Sequence, residues 1–81
     1  MSDRRLKVFQ SVAKCLSFTK AAESLHMTQP AVTFQVRQLE EHFNTRLFDR
    51  AHNKVTLTPT GEKVAEFADK FLGFMPKWRA L

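Results

Sequence analysis

Gln29, Thr33 and Arg37 recur at steps of four in one short segment, and each carries a side chain able to address a nucleic acid. A glutamine amide holds a donor and an acceptor together and can pair with both exposed groups of an adenine edge. Threonine offers a hydroxyl and a methyl group, and an arginine fork suits guanine or phosphate. Backbone N–H groups at Thr28 and Gln29, at the start of a helix, could hold a phosphate oxygen. Base recognition of this kind requires the groups to ride on a rigid element that enters a groove.

Other chemistries lack their residues. Cys15 is the single cysteine of the 81 residues, so no intramolecular disulfide and no cysteine-based metal site can form. Gly61 and Gly73 are the two glycines, too few for a phosphate-cradling loop. His26, His42 and His52 share no ligand spacing, and no nucleophile, base and orienting group can be assembled. We therefore expect neither catalysis nor a cofactor nor a metal. Glu40 and Glu41 are adjacent on a helix and point about 100° apart, which reads as a polar edge. The formal charge is +5, and residues 1–60 carry +4 of it, which favours a polyanionic partner. Lys7, Gln10 and Lys14 interrupt the apolar run a signal peptide would need, and no segment is long enough to span a bilayer. A cytoplasmic location is expected.

The elements follow from spacing. Leu6, Phe9, Ala13 and Leu16 recur at helical steps. Ser17 suits the N-cap of a short second helix whose apolar stripe is Phe18, Ala21, Ala22 and Leu25. His26-Met27 reads as a tight connection. Thr28 caps a third helix, with Pro30 in its first turn and Val32, Val36, Leu39 and Phe43 on one face. Opposite that face lie Pro30, Phe34 and Arg37, with Thr33 on the flank. Asn44, which tolerates left-handed backbone, should end this helix. Residues 47–50 and 55–57 read as two short strands joined by a polar turn. Thr58-Pro59 starts a fourth helix bearing Val64, Phe67, Ala68, Phe71, Leu72 and Met75, which Pro76 should bend or end.

Helix, short helix, turn, helix and hairpin in this order is a winged helix-turn-helix: mainly α, a three-helix core, a two-stranded wing and then a further helix. In such a unit the second helix braces the third, which lays its N-terminal residues on base edges in the major groove.

Residues 18–37, FTKAAESLHMTQPAVTFQVR, closely resemble the helix-turn-helix signature of LysR-type transcriptional regulators. Leu39-Glu40, Leu47-Phe48-Asp49-Arg50 and Leu57-Thr58-Pro59-Thr60-Gly61 extend the likeness, which covers about residues 5–65. The resemblance implies a bacterial DNA-binding domain over 1–58. It implies a linker or dimerisation helix over 59–81, stopping before an effector-binding domain absent from this chain. It places Gln29, Pro30 and Thr33 on bases. Thr28 would lie on the backbone, and His52, Asn53 and Lys54 would form the wing tip; from their own chemistry and position, Arg37 and Arg50 are added as backbone contacts. It further implies an inverted-repeat promoter site, homodimers that pair through the linker helix, tetramers in the full-length regulator, and RNA polymerase as a further contact.

Three positions depart from the family pattern. Phe34 stands where arginine is common, and its helical angle exposes it, which suggests apolar contact with a thymine methyl or a sugar. Asn44 replaces a glycine. Asn53-Lys54 replaces a frequent Arg-Gly, which removes arginine from the wing tip. Arg50 could instead pair with a carboxylate beside the wing.

Phe67, Phe71, Phe74, Met75 and Trp78 are more large apolar groups than one small domain can cover. We expect them to pack against the same helix of a second copy, antiparallel and isologous. The competing reading is a helical interaction module that assembles through this stripe and reads no DNA. A membrane-surface helix fits less well, because the basic residues and the stripe occupy different segments.

Overall fold

A computed structural model describes residues 3–52 and 54–72 of the chain. The order is α1 (Asp3–Cys15), α2 (Phe18–Leu25), α3 (Gln29–Phe43), β1 (Phe48–Ala51), β2 (Lys54–Leu57) and α4 (Pro59–Leu72). Local chemistry sets most boundaries. The Ser17 hydroxyl accepts from the Lys20 N–H at 3.1 Å, and Thr28 Oγ1 accepts from the Ala31 N–H at 3.3 Å. Thr58 Oγ1 accepts from the Gly61 N–H at 2.9 Å at the start of α4. Each satisfies a donor that the first turn of a helix leaves open. His26 and Asn44 close α2 and α3 in left-handed backbone, with φ of 56° and 54°.

β1 and β2 pair antiparallel in the register Phe48↔Leu57, Asp49↔Thr56, Arg50↔Val55, Ala51↔Lys54. The turn begins at His52, whose φ is 53°.

The core lies where α1 meets α2, α3 and α4. It holds Leu6, Val8, Phe9, Val12 and Ala13 of α1, Phe18, Ala21 and Ala22 of α2, and Val32, Val36 and Leu39 of α3. Leu47 and Phe48 close it from the hairpin side, and Val64, Ala65 and Ala68 from α4. The Phe48 ring lies 5.2 Å from that of Phe9 and 5.6 Å from that of Phe18, the latter edge-on. Such tilted and edge-on pairs add about 0.5–1.5 kcal/mol beyond burial.

Two stripes differ from the sequence expectation. On α1, Val8 and Val12 are buried, whereas Leu16 is 47% exposed. The helix ends at Cys15 and Leu16 adopts φ of 50°, which turns its side chain out of the helical pattern. On α4 the inward face is Val64, Ala65, Ala68 and Asp69, and Phe67 is half exposed. Small alanines let α4 approach α1 closely. The buried Gln10 amide of α1 donates to Asp69 Oδ1 at 2.8 Å, tying the two helices through a polar bond inside the core. Pro76 lies outside the described residues.

Candidate nucleic-acid interface

α3 divides by burial as its sequence implies. Val32, Val36 and Leu39 are at most 2% exposed. Gln29, Pro30, Phe34 and Arg37 are exposed, and Thr33 is half-buried on the flank. At the N-terminal end Gln29 Nε2 donates to Thr33 Oγ1 at 3.5 Å, a long bond that brings the two polar groups together before any ligand arrives. Thr28 precedes them as the exposed cap.

The hairpin builds a second wall. Arg37 of α3, Arg46 of the following loop and Arg50 of β1 line one cleft of about 110 Å³, with Glu40, Thr33 and Phe18 also on its walls. Three guanidiniums bordering one cleft beside α3 give that side a cationic edge suited to phosphate. The guanidinium carbon of Arg50 sits 3.9 Å from the centroid of the Phe18 ring. The expected carboxylate partner is thus replaced by an aromatic face. The stack orients the planar fork while leaving the side chain exposed.

Glu40 has a structural part that its reading as a plain polar edge did not include. Its Oε2 accepts the Leu47 N–H at 2.9 Å and the Phe48 N–H at 3.4 Å. That carboxylate hangs the entry of β1 from α3, so the wing is fixed relative to the helix. On the other side of the same junction the Thr58 hydroxyl donates to the Arg46 carbonyl at 2.7 Å, and the Thr58 N–H to the Leu47 carbonyl at 3.0 Å. The signal for Glu40 would have been its position on α3, one turn before the chain leaves the helix.

At the wing, His52 and Lys54 are exposed. Asn53 lies outside the described residues. Lys54 and Arg50 border a shallow depression shared with Ser17, Phe18 and Thr19 at the start of α2. The described base-facing and backbone-facing candidates therefore fall on α3, its cap and the hairpin, and Glu40 and the Phe18 and Phe48 rings tie the hairpin to the helices.

The candidate dimerisation residues are only partly covered. Phe67 is 50% exposed and borders a shallow apolar hollow of about 210 Å³ with Phe43, Lys63 and Val64. The backbone of Phe71 continues α4, but its side chain, and Phe74, Met75 and Trp78, lie outside the described residues. Among the described residues no group of three His, Cys, Asp or Glu side chains could hold a metal ion. No helix there is long and apolar enough to cross a membrane.

Comparison with known proteins bears on the family and the fold. The family model described as "Bacterial regulatory helix-turn-helix protein, lysR family" matches residues 4–62. The HTH-type transcriptional regulator CfxR of Cupriavidus necator is 46% identical over 70 residues, covering 86% of this chain and 22% of the relative. The chain therefore spans about a fifth of that regulator's length. Two solved structures are similar: the BenM DNA-binding domain bound to catB site 1 DNA, with TM-score 0.86 and 37% identity, and the CbnR DNA-binding domain in its DNA complex, with TM-score 0.85 and 36% identity. The matches cover 90% of this chain in both cases, and 81% and 84% of the respective neighbours.

Proposed function

We propose a division of labour within a chain that belongs to the lysR family of bacterial regulatory helix-turn-helix proteins and carries that family's winged-helix DNA-binding domain. α3 enters the major groove of duplex DNA and reads it through Gln29, Pro30, Thr33 and Phe34. Thr28, Arg37, Arg50, His52, Asn53 and Lys54 hold the sugar-phosphate backbone, and the hairpin tip lies at the adjacent backbone or minor groove. Phosphate neutralisation supplies most of the affinity, and the start of α3 supplies the choice of sequence.

The observation that carries this reading is the two-sided burial of α3. One face is sealed by Val32, Val36 and Leu39, while the other presents Gln29, Pro30, Phe34 and Arg37 beside a cleft of three arginines. A helix of this width fits the roughly 12 Å major groove.

Residues 1–58 are the reading unit and 59–81 the linker segment, whose described part, α4, pairs with that of a second copy. The exposed Phe67 and its hollow with Phe43 support such pairing. The dimer binds an inverted-repeat promoter site, the full-length regulator is a cytoplasmic tetramer, and RNA polymerase is its further contact. Binding, not catalysis, is the role.

The test compares two substitutions on two DNAs. Gln29→Ala weakens binding to the preferred duplex by about 1–3 kcal/mol and relaxes preference at one base pair. Lys54→Ala weakens preferred and random duplexes alike and lowers the salt slope by about one. Equal losses on both DNAs for Gln29→Ala contradict the assignment.

A further inference from the structure

Phe34 is 58% exposed, more than the other exposed large hydrophobics among the described residues, Leu16 at 47% and Phe67 at 50%. It lies one turn after Pro30 and three residues before Arg37, on the side of α3 opposite Val32 and Val36. A phenyl ring open to water on a face shared with Gln29, Pro30 and Arg37 calls for an occupant that is anionic overall and apolar at one point. Arg37, three residues on along the exposed side of α3, provides for the anionic part, and Arg46 and Arg50 share a cleft with it. In the major groove of duplex DNA, the apolar group on a base edge is the C5-methyl of thymine. 5-Methylcytosine carries the same methyl at the same ring position.

We propose that Phe34 is a specificity-determining residue that reads a pyrimidine C5-methyl group in the major groove. Binding then depends on a thymine at one position, or on the methylation of a cytosine placed there. The proposal rests on α3 entering the major groove as described above. Gln29 and Phe34 are separated by about 7.5 Å along the helix axis, about two base-pair steps. The methyl therefore belongs to a base pair within about two steps of the one Gln29 addresses. Gln29 and Thr33 are hydrogen-bonded to each other at 3.5 Å, so their polar groups are mutually placed, and Phe34 follows Thr33 on the exposed side of the same helix.

The probe is the tightest duplex recovered from a random pool by the 81-residue chain, remade with each thymine in turn replaced by uracil. At one position the loss of the methyl lowers affinity about fourfold, the worth of one buried methyl-sized group. 5-Methylcytosine at that position binds tighter than cytosine by a similar factor. In Phe34→Ala, whose exposed site leaves the thermal melt unchanged, both ratios fall to one. The proposal is overturned if no thymine-to-uracil replacement matters. It is equally overturned if discrimination survives Phe34→Ala and is lost in Thr33→Ser, which assigns the contact to the threonine methyl, or if Phe34→Ala changes self-association instead. Failure to recover any preferred duplex overturns the base-reading role of α3 as well, and so is distinct from loss of the methyl contact alone.

Discussion

Gly61→Ala opposes two effects that can be weighed from the structure. Gly61 is the third residue of α4 and is buried where α4 crosses the chain entering β1. Alanine in place of glycine favours a helix by about 1 kcal/mol. A methyl group on Gly61 would lie 2.1 Å from the Leu47 carbonyl oxygen, 3.0 Å from its carbon and 3.1 Å from Leu57 Cδ2. Ordinary contact begins near 3.4 Å, so from 2.1 Å the helix or the backbone at Leu47 must move by about 1.3 Å. The nearest atom belongs to backbone, which cannot swing aside as a long side chain can. That same oxygen accepts the Thr58 N–H at 3.0 Å, a bond worth about 1 kcal/mol that the shift disrupts. Overpacking costs a further 1–3 kcal/mol or so. The steric terms exceed the helix gain, and the net loss is about 2 kcal/mol. For a domain of this size that lowers Tm by roughly 10 °C, since each kcal/mol is worth about 4–8 °C. Thermal and urea unfolding followed by circular dichroism measure it, with Glu66→Ala on the exposed face of α4 as a control that shifts stability by less than about 0.5 kcal/mol. A Gly61→Ala protein as stable as the parent would refute the argument, because it would mean that the Leu47 carbonyl is not fixed against α4.

The remaining expectations concern the wing and the second helix face. Glu40→Ala removes the acceptor of two N–H groups at the entry to β1 and costs about 2 kcal/mol in urea unfolding, since bonds to a carboxylate are worth about 1.5–3 kcal/mol. Glu40→Gln recovers part of that loss, and an unchanged midpoint for Glu40→Ala would show that the hairpin is held from elsewhere. Phe67→Ser leaves the fold intact and weakens self-association in sedimentation, because the ring is half exposed. A parent chain that stays monomeric at micromolar concentration would remove Phe67 from the interface.

What the sequence makes legible here is chiefly local. Ser17, Thr28 and Thr58 cap helices because a hydroxyl meets an N–H three residues ahead, a relation that spacing alone displays. Asn44 ends α3 by a backbone conformation that its residue type favours. The α3 stripe is legible because this helix buries a narrow face. α1 is less so: it packs against α2, α3 and α4 at once, and the wider buried face takes in Val8 and Val12 beyond a single stripe. Contacts between distant residues leave no local trace. Gln10 meets Asp69 across 59 positions, Arg50 stacks on Phe18 across 32, and Gly61 is required by a carbonyl 14 residues earlier. These contacts tie α4 to α1 and the hairpin to the helices. The candidate base-reading residues are legible because they sit at the start of one amphipathic helix. The cleft formed by Arg37, Arg46 and Arg50 is not, because it exists only once the hairpin is folded back on α3.

Selection of duplexes from a random DNA pool with this chain, at near-physiological salt, tests the central claim most directly. The account predicts enrichment of an inverted repeat whose half-sites are spaced by about one helical turn, 10–10.5 base pairs, or a multiple of it, reflecting two α3 helices in successive major grooves. Binding without enrichment, fading smoothly as salt rises, would contradict it, because only the charge on the arginines and lysines would then be at work.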